Sequence, residues 1–152
     1  MSQFKIYTKA ILIPLGVGLF IGAITSNAIE YNTLIQPILA PPGFLFPIVW
    51  TILYVLMGIS YGRIENKNLV NLEIKFIYYL QLFVNAMWSI IFFTFKWRLF
   101  AFIWILILIL LIIIMIIKFY NEDKVSGLLQ IPYLLWALFA SYLKLSIYLL
   151  NR

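Results

Sequence analysis

Two amides and a tryptophan, Gln81, Asn85 and Trp88, stand at i, i+4 and i+7 in the apolar run "YLQLFVNAMWSIIFF", with Ser89 beside them. On a helix that spacing puts all three on one face. At bilayer depth an amide must find a hydrogen-bond partner, so the face points inward. A second run, "APPGFLFPIVWTILYVLMGISYG", carries Trp50, Tyr54, Met57 and Tyr61 as one helical stripe, with Phe46 and Pro47 just above it. A third, "LLQIPYLLWALFASYLK", sets Pro132, Trp136, Ala140 and Lys144 at successive i+4 steps. Pro132 frees a carbonyl one turn earlier and can bend its helix. Aromatic faces, amide edges and small residues together suit a flat, largely apolar, partly polar ligand. A packed interface or an interfacial aromatic belt draws on the same residue types, each amide then supplying an interhelical hydrogen bond of about 0.6 kcal/mol.

Much chemistry is ruled out by what is missing. The chain has no histidine and no cysteine, which removes disulfides, thiol chemistry, the usual zinc sites and haem ligation through those residues, so no metal site is expected. No carboxylate lies within an apolar run, which leaves a proton relay or cation pathway without a carrier. Lys144 is the one embedded charge, and from its place near the chain end it is expected to snorkel to the interface.

The elements that must position these residues follow from composition. Of 152 residues, 65% are hydrophobic and 11% charged, and the mean hydropathy is +1.06, far from the balance of a soluble domain. A bilayer core about 30 Å thick takes roughly 20 residues per helix, which leaves room for about five spans. The apolar runs place them at 7–28, 44–63, 74–95, 99–118 and 126–150, a single all-α, five-helix membrane domain over 1–152. The first run lacks a small-residue cleavage pattern and is expected to be retained, with Gly16, Gly18 and Gly22 permitting close helix approach. The fourth, "IWILILILLIIIMII", is packing or lipid-facing surface. Glu65 and Glu73 mark the second connection as a solvated, mixed-charge linker.

The net charge of +6 sits at the ends of apolar runs, where it anchors to head groups, so no nucleic-acid surface is expected. Lys5, Lys9, Arg63, Lys67, Lys75, Lys118 and Lys124 fall on one side, and Lys96, Arg98 and Arg152 on the other. The positive-inside rule then puts the N-terminus in the cytoplasm and the proline-rich first loop outside. That loop holds Trp50 beneath a rigid Pro41-Pro42 turn, with Trp136 expected to face it across a cavity.

The segments "PPGFLFPIVWTILYVLMGISYG", "QLFVNAMWSIIFF" and "PYLLWALFASYL" occur in the order and spacing by which the chain resembles the translocator protein family, also called tryptophan-rich sensory proteins or peripheral benzodiazepine receptors. The resemblance implies a five-helix fold, commonly dimeric, in a bacterial cell membrane. It also implies a cavity for protoporphyrin IX or a haem-like tetrapyrrole, with sterols or benzodiazepine-type compounds as further ligands and no required cofactor. Its ligand-binding residues would be Trp50, Tyr54, Gln81, Asn85, Trp88, Trp136 and Ala140, covered by Tyr31, Pro42 and Phe46. Some bacterial relatives degrade protoporphyrin IX in light, which would make Trp50 and Trp136 the catalytic pair. The alternatives are a transporter of tetrapyrroles or other small molecules, with Pro47 or Pro132 as hinges, and a structural membrane partner. The chain departs from the family pattern at Glu30, Leu39, Trp104 and Lys144, and a sterol pattern can be fitted through Leu138, Tyr142 and Lys144.

Overall fold

A computed structural model describes residues 2–25, 45–91 and 98–151. Their regular elements are helices: α1 Gln3–Thr25, α2 Leu45–Asn66, α3 Leu72–Ser89, α4 Arg98–Glu122, α5 Lys124–Leu129 and α6 Ile131–Asn151. Tyr31 and Pro42, expected to cover the cavity, lie outside the described residues, as does the side chain of Phe46.

Among the described residues, four stretches are long and apolar enough to cross a membrane: Gln3–Ala23, Pro47–Asn66, Leu99–Glu122 and Lys124–Leu150. The expected third span, α3, is not among them, because Glu73, Lys75, Gln81 and Asn85 dilute an 18-residue helix. The expected fifth span is divided. Pro132 cannot donate to a carbonyl one turn back, and its ring crowds the preceding turn. The helix therefore stops at Leu129, turns at Gln130 and restarts at Ile131, with proline accommodated in the new first turn.

The helices form a ring: α1 packs on α2 and α3, α4 on α3, α5 and α6, and α5 closes on α2. The α1–α2 contact is close because of glycine. A Cβ on Gly58 would collide with Ile11 Cα and lie 2.7 Å from the Ala10 carbonyl oxygen, so this glycine is a backbone contact surface. Of the three α1 glycines, only Gly18 is approached, by the Tyr54 ring; Gly16 and Gly22 have nothing within 4 Å. On α4, Ala101, Ile105, Leu108, Ile112, Met115 and Phe119 form a buried seam, while Ile103, Leu106, Ile107 and Leu110 are exposed, as lipid-facing residues are.

One end of the bundle is fastened by charge. Asp123 is 6% exposed at its side chain and caps α5 by accepting from the Ser126 amide and hydroxyl, the latter at 2.6 Å. It also accepts from Arg63 Nε at 2.8 Å and Lys67 Nζ at 2.9 Å, and Ser60 Oγ donates to the Ser126 carbonyl at 2.7 Å. Glu73, read as part of a solvated linker, is exposed and pairs with Lys118 across α3 and α4 at 3.0 Å. Basic residues assigned to one side thus do gather at one end.

The Arg63 hydrogen bond, with those of Ser126 and Lys67, holds the Asp123 carboxyl well below the usual carboxylate range, against the opposing effect of burial. A folded pKa below the unfolded one means that the contribution is complete at neutral pH. It is lost as pH falls below about 4 toward the folded value. Thermal unfolding in detergent is therefore expected to show a midpoint that drops on acidification through that window. Asp123→Asn is expected to lower the neutral-pH midpoint and flatten the acid response; an equally steep acid response in the variant would disprove the assignment.

Candidate functional site

At the centre of the ring α2, α3 and α6 exchange side chains. Tyr54 OH donates to Asn85 Oδ1 at 2.7 Å, Asn85 Nδ2 donates to Tyr133 OH at 2.8 Å, and Tyr133 OH donates to Gln81 Oε1 at 2.8 Å. Gln81 Nε2 donates to the Tyr78 carbonyl at 2.9 Å and reaches Met57 Sδ at 3.8 Å. Both amides thus use their oxygen and their nitrogen, as buried amides in an apolar surrounding must. Gln81, Asn85 and Trp88 are 0, 1 and 2% exposed, which places the expected inward face of α3 inside.

Above this polar floor Trp50 is the hub of an aromatic cage. Its ring centroid lies 5.7 Å from Tyr54, 6.1 Å from Trp88, 6.3 Å from Tyr133 and 6.5 Å from Trp136. The Trp50 and Trp136 planes meet at 88°, edge to face. The two indoles therefore touch instead of facing each other across a ligand-wide gap. A flat ligand must lie against the cage, because parallel stacking between this pair would need about twice the ~3.5 Å contact distance between carbon planes. Ala140 is buried and Trp136 half-buried.

Three expectations about α6 need correction. Pro132 is exposed while Tyr133, Ala137, Ala140 and Lys144 are buried. At 3.6 residues per turn an i+4 row drifts by about 40° a step, so Pro132 and Lys144 point about 120° apart. The inward row is the i, i+4, i+7, i+11 set that begins at Tyr133, and this spacing was the available signal for the site residue that the sequence argument missed. Lys144 does not snorkel: it is 1% exposed, and its Nζ lies 5.3 Å from the centroid of the Trp88 ring. The sterol pattern also comes apart, since Leu138 and Tyr142 are exposed and Lys144 is buried. Trp104, a departure on α4, donates from Nε1 to the Val84 carbonyl at 2.8 Å and so ties α4 to the back of α3.

The cage offers faces for stacking, a hydroxyl–amide floor and a buried cation. Its named residues include no carboxylate, thiol or imidazole, and its titratable groups are the Tyr54 and Tyr133 hydroxyls and the Lys144 amine. A "Tryptophan-rich protein TspO" from Chlorobaculum tepidum is 38% identical over 80% of this chain and 78% of its own. Another, from Archaeoglobus fulgidus, is 37% identical over 93% of this chain and 94% of its own, and "Protein CrtK" of Rhodobacter capsulatus is 34% identical over 86% and 83%. The profile of the TspO/MBR family matches residues 10–150, and the chain belongs to that family of integral membrane proteins.

Proposed function

We propose that the chain is a membrane-embedded binding protein for porphyrins or related flat apolar ligands. It has five spans, α3 being the third and α5 with α6 the fifth, and its N-terminus is cytoplasmic. The observation that carries this reading is the Trp50-centred cage, four ring contacts around one half-buried indole over a hydrogen-bonded floor. Large aromatic surfaces with a few fixed polar groups are the usual make-up of a site for a flat ligand. The Lys144 ammonium over Trp88 gives the cage a positive pole, which suits a macrocycle that carries carboxylates.

Titrating the purified protein with protoporphyrin IX and following the porphyrin absorption band tests the reading. Saturable binding is expected, weakened tenfold or more in Trp50→Ala and in Trp136→Ala, because losing one stacking face and its buried area costs about 1.4 kcal/mol or more. Non-saturable uptake, or variants that bind as the wild type does, would refute it.

A further inference from the structure

Beside the charged end of the bundle, three helices meet around a cavity of about 80 Å³ that has no part in the cage. Lys9 comes to it from α1, Glu65 from the last turn of α2, and Lys75 and Tyr78 from the start of α3. The ion pairs of this end are made by other residues, Arg63 and Lys67 with Asp123 and Lys118 with Glu73. Tyr78 is 1% exposed, and its ring is held by stacking on Tyr61 at 4.4 Å between centroids. Its buried hydroxyl has no hydrogen-bond partner among the described residues.

We propose that this cavity binds a phosphate group, as the phosphodiester of an anionic phospholipid or as free phosphate, through the Lys9 and Lys75 ammoniums. Three features define the ligand. Two ammoniums and one carboxylate leave a single positive charge, which one monoanion neutralises. A water takes about 30 Å³ of liquid volume, so the space holds two or three groups of that size, a phosphate and not a macrocycle. Lys9 and Lys75 stand near helix ends, at the level where lipid head groups lie, and Ala10 and Ile13 supply an apolar wall along which the first methylenes of a lipid can run. A choline head group would bring its own cation to two ammoniums and is disfavoured.

Thermal unfolding in a neutral detergent tests this with three probes: dioleoyl phosphatidylglycerol, dioleoyl phosphatidylcholine and inorganic phosphate. Bound ligand raises the unfolding midpoint in proportion to its affinity. Phosphatidylglycerol is expected to bind the wild type at least tenfold more tightly than phosphatidylcholine. That preference is lost in Lys9→Gln/Lys75→Gln. It is increased in Glu65→Gln, a sign that misfolding cannot mimic. Lys5→Gln/Lys124→Gln, with the same charge removed elsewhere, keeps it. Stabilisation by millimolar phosphate alone, sensitive to the same variants, identifies a soluble ligand; stabilisation by phosphatidylglycerol alone identifies a head group. Equal binding of all three probes, or an undiminished preference in Lys9→Gln/Lys75→Gln, overturns the proposal. The cage variants Trp50→Ala and Trp136→Ala leave this site intact, so its failure and that of porphyrin binding are separable.

Discussion

Asn85→Leu is expected to destabilise the folded bundle by about 2–4 kcal/mol, several times the average for an interhelical hydrogen bond in a membrane. Leucine keeps the branched outline of asparagine but is larger, so overpacking adds to the loss, and two bonds vanish at once. The Tyr54 hydroxyl loses its acceptor and the Tyr133 hydroxyl its donor, in a buried region. If the two bonds were ordinary membrane contacts, their loss would total about 1.2 kcal/mol. The excess measures stranding of the hydroxyls together with overpacking, and the double variant below separates the two. Unfolding in mixed micelles with increasing denaturing detergent reads the difference. The double variant Tyr54→Phe/Asn85→Leu should recover part of the loss, because removing both partners leaves fewer groups unpaired. A loss near 1 kcal/mol with no recovery would show that the network is not a coupled unit.

Gly58→Ala is the second large effect, and its sign runs against helix propensity. Alanine in place of glycine within a helix gains about 1 kcal/mol. At Gly16 and Gly22, which face open space, that gain should appear as a small rise in unfolding midpoint. At Gly58 the new methyl would meet Ile11 Cα and the Ala10 carbonyl oxygen, both backbone atoms that no rotamer change can move aside. Overpacking typically costs about 1–3 kcal/mol and more when main chain must shift, so the steric term wins and α1 is displaced from α2. Gly62→Ala meets the Tyr7 ring and the Ala10 methyl, of which the ring can turn, and should fall between the two. A Gly58→Ala midpoint at or above wild type would mean that the contact is looser than the structure has it.

What could be read from sequence was the helical, membrane-embedded character of the chain and the polar face of α3. Gln81 and Asn85 are costly in lipid, so their spacing alone told which way that helix turns. On α6 the signal was weaker, a row from Tyr133 to Lys144 on an otherwise mostly apolar surface. In a membrane an apolar residue fits a lipid contact as well as a core contact, which is why Pro132 was taken for the inward row and Tyr133 was overlooked. Asp123 escaped notice for the opposite reason. A carboxylate next to Glu122 and Lys124, between two helices, looks like a solvated turn until folding brings Arg63 and Lys67, about sixty residues earlier, against it. Lys144 was placed by a rule for helix ends that a helix packed over Trp88 overrides.

The Tyr133 hydroxyl, shared between Asn85 and Gln81, has a consequence for biogenesis. The glycine-lined pair α1 and α2 needs nothing made later, so it can form as soon as both helices have left the ribosome and entered the bilayer. Helix α3 cannot be completed that way. Until α6 is synthesised, the Asn85 amide lacks its acceptor and the Gln81 carbonyl its donor, and an unfinished chain carries unsatisfied amides into lipid. The last helix therefore acts as a completion mark. A chain truncated ahead of Ile131 keeps five of the six helices, yet it stays distinguishable by those two amides to any membrane protease that samples exposed polar groups.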